Sequence, residues 1–183
     1  VTGRRAALLL PAFLLAGCER MTIEDTVRLP PEIDRGAGDP ARFAAETAAH
    51  AFLDRERHLR GNPYEAAFAA AMLENAATAF QDGRFTDGMW VTRLLREGRA
   101  ALRQTIGLDP GAAPQAAQDA LLAAAAAFAR SDPAAAAAAL APVAAPGARP
   151  AEALAALATP QPLRRALRET RAMLNGALGA GQP

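Results

Sequence analysis

The stretch GNPYEAAFAAAMLENAATAFQDG, residues 61–83, carries the reading that decides the fold. Asn62 is an N-cap residue, Pro63 suits a first helical position where its missing N–H costs nothing, and Glu65 places a carboxylate three residues after the cap. Phe68, Met72, Ala76 and Phe80 then recur at four-residue steps, which line one side of a helix, and Gly83 marks its end. Immediately upstream, Asp39-Pro40 gives another cap-and-proline start, and that helix runs to about Arg60 before Gly61 stops it. So short a link between two helices turns them back on each other as an antiparallel hairpin.

The same punctuation continues downstream. A third helix starts near Asp87 and ends before Gly107, with Val91, Leu94, Leu95, Gly98, Ala101 and Leu102 on one side. A fourth, from about Pro114 to Arg130, carries Ala117, Leu121, Ala124 and Phe128. Ser131-Asp132-Pro133 starts a short fifth with Ser131 read as its cap, and Pro142 to Pro150 is a broken connection. Two more helices cover about 150–158 and 162–175, the last with Leu163, Leu167, Thr170 and Leu174. Nothing reads as a sheet strand. The expected fold is all-α, with antiparallel hairpins forming a small bundle or short solenoid of about six to seven helices over residues 39–178. Residues 179–183 are expected to be a disordered tail. No 34-residue self-similarity marks a tetratricopeptide array.

Composition narrows the chemistry. Of 183 residues, 51 are Ala, none is Lys, and Ser131 is the single serine, so all 20 basic side chains are Arg. Without Lys there is no Schiff base, no phosphate-binding P-loop lysine and no Ser-Lys dyad. One Cys excludes an intrachain disulfide, a C-x-x-C redox pair, haem attachment through C-x-x-C-H and a multi-Cys zinc site. An Ala-rich helix forms readily but buries little area, at about 25 cal/mol per Å², so the core should be thin. Its expected members are Phe52, Leu59, Phe68, Met72, Leu73, Phe80, Trp90, Leu94, Leu95 and Leu102. The runs Ala123–Ala127 and Ala134–Ala139 specify register poorly, and packing in the second half is expected to be loose or completed by another molecule.

At the N-terminus, Arg4 and Arg5 precede an apolar run from Ala6 to Ala16, broken by Pro11 and followed by Gly17 and Cys18. A charged region, a short apolar core and small residues read as a secretory signal over residues 1–17 and not as a membrane-spanning helix. The quartet Leu15-Ala16-Gly17-Cys18 resembles the lipobox of bacterial lipoprotein precursors. The resemblance implies diacylglycerol on the Cys18 sulfur, cleavage before Cys18, and acylation of the new N-terminus. Two or three acyl chains anchor stably, since each buried CH₂ contributes about 0.8 kcal/mol. Glu19 after the cysteine resembles the outer-membrane address of the lipoprotein sorting scheme, so the resemblance implies the periplasmic face of a bacterial membrane, the outer one favoured over the inner. Residues 18–38, with Pro30-Pro31 and Gly36-Ala37-Gly38, are expected to form a flexible tether with a short extended piece at Thr26 to Leu29. Loss of residues 1–17 leaves 18 Arg against 19 acidic groups, a net −1, which gives no support for nucleic-acid binding.

Two constellations are candidates for binding. Glu46, His50, Asp54 and His58 stand four apart on the first helix, near enough in pairs for metal ligation, with Glu65 or Glu74 as ligands from another helix. Each four-residue step rotates by about 40°, so the ladder winds round the helix and does not converge. Arg93, Arg96, Arg99 and Arg103 form a stripe suited to anionic headgroups or an acidic partner, and Arg164, Arg165, Arg168 and Arg171 repeat it. Each constellation is equally what a solvated charged helix face looks like. No cofactor is implied. The expected role is a lipid-anchored envelope module that binds or scaffolds a protein partner. The alternatives are a ligand- or metal-binding bundle using the His50 region, and then a carboxylate-based enzyme.

Overall fold

The structure is a computed structural model that describes residues 23–34, 38–81, 84–85 and 87–179. Within them the chain is all-helical, and the one extended pairing is an isolated antiparallel bridge between Leu108 and Ala144. The elements are α1 (Pro31–Asp34), α2 (Pro40–Ala49), α3 (Glu56–Leu59), α4 (Pro63–Ala79), α5 (Gly88–Ile106), α6 (Pro114–Ala129), α7 (Pro133–Leu140), α8 (Pro150–Ala155) and α9 (Gln161–Gly179).

The starts follow the sequence signals. Asp39 Oδ1 accepts from the Ala41 and Arg42 amides, and Asn62 Oδ1 accepts from Glu65 N while Asn62 Nδ2 donates to the Glu65 carboxylate. The fifth start differs. Asp132, not Ser131, caps α7 by accepting from Ala135 N, because Pro133 occupies the first helical position and the cap is the residue before it. Ser131 instead takes φ +58°, the left-handed turn that closes α6.

α4 is the axis of the molecule. Every residue from Ala66 to Ala79 except Phe68 is buried, because α2, α5, α6 and α8 pack around it. Alanine on all sides lets those neighbours approach closely, and the larger side chains Met72, Leu73 and Phe80 fill what remains. α9 closes the far side by packing on α5 and α2. There Gly98 lets the helices touch: a Cβ on it would stand 3.0 Å from Leu163 Cα.

Four expectations change. The first helix is not continuous to Arg60: a π-turn at His50–Asp54 interrupts it, with Arg55 N donating to His50 O, and buries Ala51 and Phe52 before α3 begins. Trp90 is not core; it stands 48% exposed at the start of α5, while Phe80 and Phe85 pack with their rings tilted by 59° and centres 4.6 Å apart. Phe68 is only partly buried and stacks on Tyr64, whereas the other expected core members are buried. The first Ala-rich run is docked, with Ala117, Leu121, Ala124 and Ala125 buried along α6, which packs on α4, whereas in Ala134–Ala139 only Ala136 is buried. α9 runs through Gly179, and residues 180–183 of the expected tail lie outside the described residues.

Candidate functional site

The described part of the expected tether is a docked strap. Residues 23–30 run extended against α4 and α6, with Val27 buried. Extended backbone away from a sheet needs other partners for its N–H and C=O groups, and here side chains supply them. Val27 N donates to Thr78 Oγ1 at 3.0 Å, and Asn75 Nδ2 donates to Val27 O at 2.6 Å. Arg28 N donates to Gln115 Oε1, and Gln118 Nε2 donates back to Arg28 O at 2.7 Å. Gln81 holds the Glu24 peptide from both sides.

The strap also completes a charge network. Glu74, on buried α4, takes a two-pronged contact from Arg103 at 2.8 and 2.7 Å. Arg103 is itself buried and turns its remaining nitrogen to the carbonyls of Pro110 and Ala112. Arg99 lies 3.8 Å from Glu74 and donates to both Glu24 oxygens at 2.9 and 2.8 Å. Arg96 reaches Glu24 and Gln81. Burial pushes the Glu74 carboxyl above the ordinary carboxylate range, opposed by the Arg103 hydrogen bonds and the charges of Arg103 and Arg99.

The expected anion-binding stripe is therefore corrected. Arg96, Arg99 and Arg103 point inward and are engaged within the protein, and only Arg93 faces solvent, paired with Glu97 and lying over the Trp90 ring. The second stripe is partly engaged: Arg164 pairs with Glu56 and Arg171 with Asp54, while Arg165 and Arg168 are exposed.

The expected metal ladder does not assemble. His50 Nδ1 lies 3.4 Å from Asp54, but Asp54 is held by Arg171 at 2.8 Å and its carboxyl is pulled below the ordinary aspartate range by that hydrogen bond. Glu46 pairs with Arg42, Glu65 with Arg55, and Glu74 with Arg103. His58 lies beyond the π-turn, on α3, and is exposed. Among the described residues no group of three His, Cys, Asp or Glu side chains is placed to hold a metal. Cys18, the expected lipidation site, lies outside the described residues.

A surface feature that the sequence did not announce is a groove of about 900 Å³ between α7, α8 and the connection joining them. Phe128, Pro133, Ala134, Ala137, Pro146 and Ala148 line it, and Pro63 borders it at the start of α4. Its polar side chains are Arg149 and Glu152, which pair with each other at 3.3 Å. The broken stretch from Pro142 to Pro150 is held in place by backbone bonds, Asp109 N to Val143 O and Ala145 N to Gly107 O, while Gly61 N donates to Ala155 O. The sequence signal was available in the exposed alanines of α7 followed by three prolines within nine residues, which build a wall with few side chains to fill it. Among the described residues no helix is long and apolar enough to cross a membrane. Comparison with protein-family models, with curated proteins and with solved structures gave no match for this chain.

Proposed function

We propose that this protein is a lipid-anchored module of the bacterial envelope that binds an apolar segment of a partner protein in the groove between α7 and α8. The observation that carries the reading is the groove itself: a concave apolar surface in the size range of ligand sites, with Ala and Pro walls held by backbone hydrogen bonds. An apolar segment laid there loses water from the alanine and proline surface, and the Arg149–Glu152 pair at the rim offers hydrogen bonds to its backbone. The anchor rests on the match of Leu15-Ala16-Gly17-Cys18 to a lipobox. Chemistry is not part of this proposal, since the buried carboxylate Glu74 is committed to Arg103.

A photo-crosslinking residue at Ala137 in the groove, compared with one at exposed Ala172 on α9, tests the binding site in intact envelopes. A discrete adduct with an envelope protein from position 137, absent from position 172 and removed by Ala148→Arg, supports it. No adduct from 137, or the same adduct from both positions, overturns it. Mass measurement of the mature N-terminal peptide tests the anchor separately.

A further inference from the structure

Among the described residues, four large apolar side chains are well exposed: Ile23, Tyr64, Met89 and Trp90. Three of them gather at one end. Glu24 is bonded through its backbone to Gln81, just past the end of α4, and through its carboxylate to Arg96 and Arg99 on α5. Gly88, which starts α5, sits so tightly on the Phe80 carbonyl that no Cβ fits. Ile23, Met89 and Trp90 therefore belong to the end of the molecule where α4 stops and α5 begins, and all three are half or more exposed or close to it, at 80%, 50% and 48%. The chain leaves the described structure at Ile23, five residues after Cys18. Five residues reach at most about 18 Å when fully extended.

We infer that this end is a bilayer-docking face, in which Trp90, Met89 and Ile23 sit in the interfacial layer of the membrane to which Cys18 is attached. The inference rests on the lipid-anchor reading. Trp is favoured at such interfaces because its ring is apolar and its N–H is polar, and Arg93 over the Trp90 ring keeps its head group at the water side. Charge does not drive the contact. Exposed Asp25 and Asp87 lie at the same end, Arg93 is paired with Glu97 and Arg84 with Asp39, so among the described residues the face has no positive excess for anionic lipid.

Trp90 is the single tryptophan of the chain, so its fluorescence reports this face alone. The mature acylated protein is reconstituted into phosphatidylcholine vesicles with and without bromine on the acyl chains. The expected result is severalfold quenching of Trp90 by brominated lipid, alike with and without added anionic lipid. A Trp90→Phe, Ala137→Trp variant moves the indole to the groove and should not be quenched. Equal quenching of the two proteins, or none of Trp90 while Cys18 is acylated by mass, overturns the docking face and leaves the anchor standing. Quenching that requires anionic lipid overturns its apolar basis. If Cys18 carries no lipid, the anchor reading fails, and the same vesicles added to that protein decide the face: no quenching of Trp90 overturns it.

Discussion

The arginine stripes of α5 and α9 are written alike in the sequence and end in opposite environments. On α5, Arg96, Arg99 and Arg103 turn into the protein, and Arg103 is buried. On α9, Arg164 and Arg171 make half-exposed pairs with Glu56 and Asp54, and Arg165 and Arg168 face water. The difference does not lie in the stripes. It lies in what crosses them: α4 brings Glu74 and the strap brings Glu24 over α5, whereas α9 meets the exposed acids of the π-turn and α3. A guanidinium row is thus solvent-facing or structural according to whether carboxylates remote in sequence arrive over it.

The largest effect that should separate the two stripes comes from Glu74→Ala. Removing the carboxylate leaves Arg103 buried without its counter-charge, and the expected loss is about 3–5 kcal/mol in denaturant unfolding. A loss under about 1 kcal/mol would place this pair with ordinary surface pairs and erase the comparison. Next, Gly98→Ala acts where the two striped helices touch. The new methyl has to push Leu163 and Ala166 aside, and a cost of about 1–3 kcal/mol is expected from the same measurement.

Glu24→Ala tests whether the strap is held by charge as well as by its backbone. The Arg99 contacts are lost but Glu24 is partly exposed, so about 1–2 kcal/mol is expected, with faster hydrogen exchange at the Val27 and Arg28 amides. Unchanged exchange there would show that Asn75, Thr78 and Gln118 suffice. The smallest effect belongs to α9. Asp54→Asn should cost about 0.5 kcal/mol near neutral pH, since both partners are well exposed. The Asp54 carboxyl is lowered by Arg171, so the pair contributes fully above the ordinary aspartate pKa and fades as pH falls through the lower folded value. The Tm difference between wild type and Asp54→Asn should accordingly shrink below about pH 4. A difference that persists in acid would mean that the pair acts through packing.

Helix starts were the most legible part of the fold. Asp39-Pro40, Asn62-Pro63 and Asp132-Pro133 act through bonds between neighbours in sequence, and the structure places helices at each. Ser131 misled because two capping residues stood side by side and the proline selected the second. The π-turn left no local mark; Phe52 is buried there and its carbonyl accepts from the Thr159 hydroxyl, which belongs to a distant segment. Trp90 misled because chemical type was read without place.

The strap was hidden by the residues that look most like a linker. Pro30-Pro31 and the glycines after them read as a tether, and the segment before them has no periodicity. Its signature lay elsewhere, in Glu74, Asn75, Thr78 and Gln81 set into an otherwise alanine-lined helix. Glu74, Asn75 and Thr78 are buried and need partners: Arg103 supplies that of Glu74, and the strap backbone supplies those of Asn75 and Thr78, as it does for Gln81 just past the helix end. The groove was hidden for the complementary reason: alanine was counted as a poor core residue, when on α7 it serves as a wall that leaves space.

α4 also sets a length. Seventeen helical residues rise about 25 Å, with the Pro63 end bordering the groove and the Phe80 end beside the point where the chain emerges at Ile23. If the protein stands on that second end, as proposed, its groove lies up to about 25 Å from the lipid surface. Inserting seven residues, close to two turns, would lengthen α4 by about 10.5 Å and return each side chain to within about 20° of its azimuth, whereas an insertion of four would rotate one end against the other by about 40°.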